Sequence, residues 1–264
     1  MRPNKRKTFL SAIGTCILSL LLAAPSKADS ANLVEVAYEG TCDISEYLEN
    51  PLTIFISDQV LLNYEWDEIT AKIDSSIEKS NLILLNSCIP MKRVLKRVIA
   101  APDISEILHA DIHALHSILK YKYEIDLKND GPHNGFYGVL FDEALMINGE
   151  AHCGRTNIRT LSSFFTVSFE CSNDILEHEL GHLSGAHHDV GNYRHKQGLE
   201  KFVKSYAHGY LCGDRGTVMS YSKQIVPVYS SPNVSYNNEP CGSADKANNA
   251  KVLTDYAQSI MNGH

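Results

Sequence analysis

Three histidines, a glutamate and a glycine within residues 178–188 have the types and spacing that hydrolysis at a metal ion requires. The stretch reads H-E-L-G-H-L-S-G-A-H-H, so His178 and His182 lie one helical turn apart and His188 follows beyond a glycine. On a helix that offset projects two imidazoles from one face toward one point. A catalytic zinc takes three protein ligands, at about 2.0–2.1 Å per nitrogen, and keeps a fourth position for water. Glu179 directly follows the first candidate ligand, beside that open position, where a carboxylate can take a proton from the water. Gly185 is suited to end the helix in left-handed backbone, where it carries no Cβ penalty. The chain can then turn back and bring His188 to the same ion. H-E-x-x-H alone arises by chance; the added glycine and third histidine at their offsets make coincidence improbable. His187 would serve as third ligand only with a different loop spacing, and is read as a bystander. Leu176, Leu180 and Leu183 share another face, suited to a core, and Ser172, Asn173 or Asp174 can cap the start of the helix.

The long motif is the signature of the metzincin clan of zinc endopeptidases, which this chain resembles. Gly216-Thr217-Val218-Met219-Ser220-Tyr221 resembles the Met-turn of that clan, which implies that Met219 forms an apolar floor beneath the histidines. Taken by itself, a methionine there is core filling. Residues 206–213 (Tyr-Ala-His-Gly-Tyr-Leu-Cys-Gly), residues 228–234 and Asn248-Asn249-Ala250 resemble bacterial secreted members related to the reprolysin (adamalysin) branch. The resemblance is strong from about residue 151 onward and mostly architectural over 52–150. Two residues point to different branches. Asp189 follows the third histidine as in adamalysins, where that aspartate anchors the site from beneath. Tyr221 stands where astacins and serralysins carry a tyrosine that approaches the zinc and stabilises the tetrahedral intermediate; the other reading is an aromatic packed under the turn. The resemblance also implies a Cys212–Cys241 disulfide.

At 264 residues the chain suits one catalytic domain behind a leader. Arg2, Lys5, Arg6 and Lys7 precede an apolar run over 9–24, and Ser26-Lys27-Ala28 is a small-x-small cleavage site, so residues 1–28 read as a signal peptide. The run is short for a membrane span and ends at that site, so no stable membrane insertion is expected. Removing 1–28 leaves 19 basic against 31 acidic residues, a charge near −12. That balance disfavours nucleic acid as a target, and none is expected. Cys16 goes with the leader, and the six cysteines that remain, in an exported protein, read as disulfides. With Cys212–Cys241 set aside, Cys153–Cys171 and Cys42–Cys88 are the preferred remaining pairs, by elimination. Cys42 or Asp43 could instead serve a latency segment that caps the zinc.

The elements that must position the histidines follow from periodicity. Residues 29–50 lack it. Residues 52–56 read as a buried strand and 66–79 as an amphipathic helix with Ile69, Ile73 and Ile77 on one face. Residues 91–100 form a valine-rich strand carrying Lys and Arg, and Pro102-Asp103 opens a long helix to about 123. Strands at 136–141 and 164–169 precede the histidine helix at 174–184, and a helix at about 244–261 comes last. Strands alternating with helices, then irregular chain, predict an α+β fold. Its metzincin-like form has a twisted mixed sheet with helices over an active-site cleft, and a small irregular lower subdomain with a C-terminal helix. The catalytic domain is expected over 29–264, upper subdomain about 29–185 and lower about 186–264. His109, His113 and His116 share a helix face, but solvent-facing histidines explain them more simply than a second metal. Asn233-Val234-Ser235 is a sequon that matters only in a glycosylating host.

These readings imply a secreted (extracellular or periplasmic) zinc endopeptidase acting as a monomer on protein or peptide substrates. One catalytic Zn²⁺ is held by His178, His182 and His188, with Glu179 and Tyr221 as catalytic groups. An edge strand from 151–169 would bind substrate, and Val226, Pro227 and Val228 would wall the pocket beyond the scissile bond. The alternative is a non-catalytic zinc-stabilised adhesin or binding module on the same fold. Inactive relatives lose the glutamate or a ligand, and this chain keeps both.

Overall fold

Long apolar runs covered on both faces build the sheet that carries the histidine helix. The computed structural model describes residues 36–123, 135–157, 161–190 and 203–263, so the leader expected at 1–28 lies outside the described residues. In chain order the elements are β1 (Val36–Tyr38), β2 (Leu48–Ile56), α1 (Asp58–Asn63), α2 (Trp66–Asn86), β3 (Met91–Ala100), a 3-10 turn (Glu106–Ala110), α3 (Ile112–Lys122), β4 (Phe136–Phe141), β5 (Leu145–Ile147), β6 (Glu150–His152), β7 (Gly154–Asn157), β8 (Leu161–Ser168), α4 (Ile175–Leu183), β9 (Leu211–Cys212), β10 (Arg215–Gly216), β11 (Ser231–Tyr236), β12 (Glu239–Cys241) and α5 (Asn249–Met261).

Five strands form the main sheet in the order β3-β2-β4-β8-β7. β2 is parallel to β3 and β4, and β4 to β8; β7 pairs antiparallel with β8 and forms an edge. β4 is buried at every position, and such inner parallel strands read as continuous apolar runs rather than alternations. On one face Ile54, Phe136 and Phe165 pack with Ile69 and Ile73 of α2 and Leu176, Leu180 and Leu183 of α4. On the other, Phe55, Val139 and Phe164 meet Ile112, Leu115 and Leu119 of α3. The mixed sheet with its helices is the expected α+β class. The three expected disulfides are all present: Cys42–Cys88, Cys153–Cys171 and Cys212–Cys241. Cys42 therefore has no thiol to offer a metal.

Several boundaries differ from expectation, each for a local reason. α2 continues past Lys79 to Asn86 because Ser80, Ile83 and Leu84 extend its buried stripe; burying each large aliphatic stabilises by about 1.5–3 kcal/mol. The long helix expected from Pro102 to 123 is broken into the 3-10 turn and α3. The Asp111 carboxylate accepts from the His113 and Ala114 amides, which caps a new helix instead of continuing the old one. The break also undoes the shared histidine face. His109 is not solvent-facing: it is 3% exposed and stacks on Phe141, centroids 4.2 Å apart. His116 stacks beside Tyr137, and only His113 is exposed. The last helix starts at Asn249 rather than about 244, where Asn248 accepts from the Lys251 amide. The N-terminal stretch is not featureless either. β1 adds to β11, and β2 begins at Leu48, paired to Met91.

Candidate metal centre

Helix α4 presents the first two histidines because its leucines are held in the core on its other side. Its end is set as expected. Gly185 has φ +94°, and the Ala186 amide donates to the Gly181 carbonyl at 2.9 Å, a left-handed closure that reverses the chain. Two residues quoted above only for their resemblance then fix the third histidine. Asn249, fully buried at the start of α5, accepts from the His187 amide (3.3 Å) and donates to its carbonyl (3.0 Å). His208 Nδ1 lies 2.9 Å from the His188 carbonyl oxygen. His187 is thus used through its backbone.

The outcome is one point of convergence. His188 Nε2 lies 3.0 Å from His178 Nε2 and 2.9 Å from His182 Nε2. His178 Nδ1 faces the Val218 carbonyl at 2.8 Å and His182 Nδ1 the Ala186 carbonyl at 3.0 Å. Carbonyls only accept, so both Nδ1 atoms carry the proton and both Nε2 atoms turn a lone pair to the cluster centre. Burial lowers the pKa of His178, and burial with the neighbouring histidines lowers that of His182 further, which keeps both rings neutral. Three neutral imidazoles with lone pairs aimed inward suit a cation. Tetrahedral ligands around zinc would sit about 3.3 Å apart, close to the spacing present. Among the described residues this is the single trio of histidine, cysteine or acidic side chains so gathered.

Glu179 projects beside the trio and is 5% exposed. Burial pushes its carboxyl up to about 8, against a lowering hydrogen bond from the Thr156 side chain. A cation at the histidines would draw that value back down. Met219 is fully buried; a Cβ added to Gly181 would lie 2.8 Å from its sulfur, so the methionine lies against the helix between the two histidine positions. Tyr221 is 61% exposed, and its ring centroid is 4.2 Å from that of His188. Burial, then the charges of Glu179, Asp189 and Glu150, raise its phenol. Asp189 is half-buried, and its charge is felt at that phenol. Val226 and Val228 are not a pocket wall: both are fully buried with Cys212, Val234 and Cys241.

A second set of residues carried no functional signal in the sequence. Arg93 of β3, 1% exposed, donates through Nε and Nη2 to the two carboxylate oxygens of Glu177 at 3.0 and 2.9 Å, and through Nη1 to Asn50 Oδ1. The Tyr229 hydroxyl donates to Glu177 Oε1 at 2.7 Å. Burial and then the charge of Glu177 push that phenol far up, so it stays a neutral donor. The network ties the residue preceding His178 to the sheet and to the chain beyond Met219. A buried arginine and glutamate looking for each other at core-facing positions was the available signal, but each alone reads as a surface residue.

No family model matches the chain. Part of it, 126 residues, is 29% identical to a peptidyl-Asp metalloendopeptidase of Xanthomonas campestris pv. campestris. Two proteins of Stenotrophomonas maltophilia with the same name are 33% identical over 131 residues and 32% over 130. Each match takes in 44% of this chain, which spans only 29–30% of those relatives' length. A solved structure described as a chaperone–substrate complex shares the fold over 81% of this chain and 35% of its own, with TM-score 0.62 and 17% identity. Among the described residues no helix is long and apolar enough to cross a membrane. Similarity to metalloendopeptidases thus meets, in one chain, a three-histidine cluster with a buried glutamate beside it.

Proposed function

We propose that this protein is an exported zinc endopeptidase of metzincin type. The observation that carries the reading is the convergence of three histidines, with His178 and His182 Nε2 each within 3.0 Å of His188 Nε2 and all three ligand atoms within 4.8 Å of one another, next to a buried carboxylate. His178, His182 and His188 would hold one zinc, whose Lewis acidity lowers the pKa of a water toward about 7 and polarises the scissile carbonyl. Glu179 takes the proton of that water as it attacks, then gives it to the departing amine nitrogen. The Tyr221 hydroxyl donates to the oxygen on which negative charge develops, the role its position over His188 suggests. The astacin-like use of Tyr221 is thereby preferred to packing alone, and Asp189 supports the site through its charge. Edge strand β7 offers main-chain groups on which an extended peptide can pair. The three disulfides favour an oxidising compartment outside the cytosol. The relatives' name makes peptide bonds at aspartate the first substrates to try.

The test is a zinc assay beside a cleavage assay on a peptide library. Purified protein should hold about one zinc and lose cleavage to a chelator. Glu179→Ala should keep the zinc and cleave nothing, whereas a zinc-stabilised binding module would cleave nothing even unaltered. Zinc content unaffected by His188→Ala would remove the three-histidine site.

A further inference from the structure

The residues around Glu179 suggest how a buried carboxylate with no cationic partner is kept in one place. Among the described residues no ion pair reaches it. What it meets is the inner face of β7. An added Cβ on Gly154 would stand 2.6 Å from both Cγ and Oε1 of Glu179 and 2.8 Å from Cδ. No real contact is that short, so the carboxylate occupies the volume that any other residue at 154 would fill. Side chains two apart on a strand share a face, so Thr156 stands on the same side of β7 as Gly154, the side that meets Glu179. Arg155 between them points to the other side, where its Nη1 donates to the Ala110 carbonyl.

Both ends of this contact are anchored. β7 is held through its ladder with β8, Gly154 opposite Val167 and Thr156 opposite Phe165. The Cys153–Cys171 disulfide joins the residue before β7 to the segment entering α4, and the Lys72 ammonium donates to the Cys171 carbonyl. The disulfide therefore holds the start of β7 close to the segment that leads into the helix.

We propose that β7 is the positioning element for Glu179: the missing side chain at Gly154 makes its seat, and the Thr156 hydroxyl fixes its rotamer. Thr156 is a positioning residue, acting through Glu179. The inference rests on the peptidase reading for its effect on rate, but not for its effect on structure. A base misplaced by about 1 Å can cost on the order of 10²-fold. It also gives β7 two roles, since the strand that seats the carboxylate is the edge proposed to receive the peptide.

The experiment is a double-mutant cycle with kinetics alongside. Gly154 has no positive φ, so alanine suits its backbone and conflicts only with Glu179. Gly154→Ala should therefore lower Tm by about 4–8 °C in the parent. In a Glu179→Ala background the same change should shift Tm by less than about 2 °C. Equal shifts in both backgrounds would overturn the seat, whether or not the protein is a peptidase. In the zinc-loaded enzyme, Thr156→Val should lower kcat about 10- to 100-fold with KM, zinc content and Tm unchanged, and Thr156→Ser should restore kcat to within about 3-fold. Unchanged kcat in Thr156→Val, or a loss of zinc or Tm in step with kcat, would overturn the positioning role. Failure of the peptidase reading shows elsewhere, as cleavage by Glu179→Ala equal to the parent's, or as no cleavage by the zinc-loaded parent; crystals of Thr156→Val then decide, with several Glu179 rotamers supporting the role and a single parental one overturning it.

Discussion

Glu177 and Glu179 are two residues apart on α4, both buried, and treated in opposite ways. Glu177 receives two donors from Arg93 and one from Tyr229, so its charge is met on every side by fixed groups. Glu179 faces a glycine and one hydroxyl, and its carboxyl is pushed up to about 8. A buried charge that is fully paired holds a structure together, and removing one partner leaves a charge that nothing else can satisfy. A buried carboxyl left short of partners, beside neutral imidazoles, is poised to exchange a proton. Position on one helix therefore does not assign a role; the partners brought by other elements do. Glu177 is clamped by β3 and by the chain after Met219, Glu179 only by β7.

The largest effect should come from Glu179. Under the proposed mechanism Glu179→Gln keeps the volume and removes the base, and should lower kcat by about 10³-fold or more with zinc content and thermal melting near the parent's. If Glu177→Gln instead produced the catalytic loss and Glu179→Gln the unfolding, the two glutamates would have the opposite roles.

Arg93→Met should cost about 3–5 kcal/mol in denaturant unfolding, because Glu177 is left buried and unpaired. Arg93→Met combined with Glu177→Leu should recover most of that loss, since no charge then remains inside. A single variant as stable as the parent would mean that the pair does not clamp the helix.

His109 sharpens the comparison with a third buried titratable group. Its Nε2 has no hydrogen-bond partner, and burial lowers its pKa from 6.5 to about 4, with the charge of Arg155 adding to the shift. Because the folded value is depressed, the unfolded chain binds more protons between these two values, so stability falls as pH drops. About 3 kcal/mol present above pH 6.5 should be lost by pH 4. His109→Phe should flatten that part of the stability curve; an unchanged slope would assign it to other groups.

Tyr229→Phe is the smallest effect, about 2 kcal/mol for a buried hydrogen bond to a charged group, read from unfolding midpoints. Its kcat should stay within about 3-fold, since Arg93 still holds Glu177.

Much of the site was legible because its geometry is local. His178 and His182 are brought together by the pitch of one helix, and Gly185 is the residue that a left-handed helix end favours, so neither needs the rest of the fold. The inner strands β2 and β4 were legible from their apolar runs, and β3 from its valines despite the Lys and Arg it carries. Helix ends were less so. Asp111 breaks a helix only because its carboxylate bonds the next turn's amides, and the sequence pattern on either side of it suits a helix equally well. His109 read as a surface residue because its aromatic cover, Phe141, comes from a strand far along the chain.

The sequence by itself determined the α+β class and singled out the three histidines with the carboxylate beside them, which follow from residue type at short or periodic spacing; the cysteine pairs came from resemblance and elimination instead. Tertiary structure alone decided which glutamate of α4 is clamped, where β1 pairs, how Asn249 holds the His187 backbone, and that Gly154 and Thr156 enclose Glu179. Each of these joins residues whose separation in sequence carries no period, and a charge or a glycine at such a position looks the same in a chain until folding sets its partner against it.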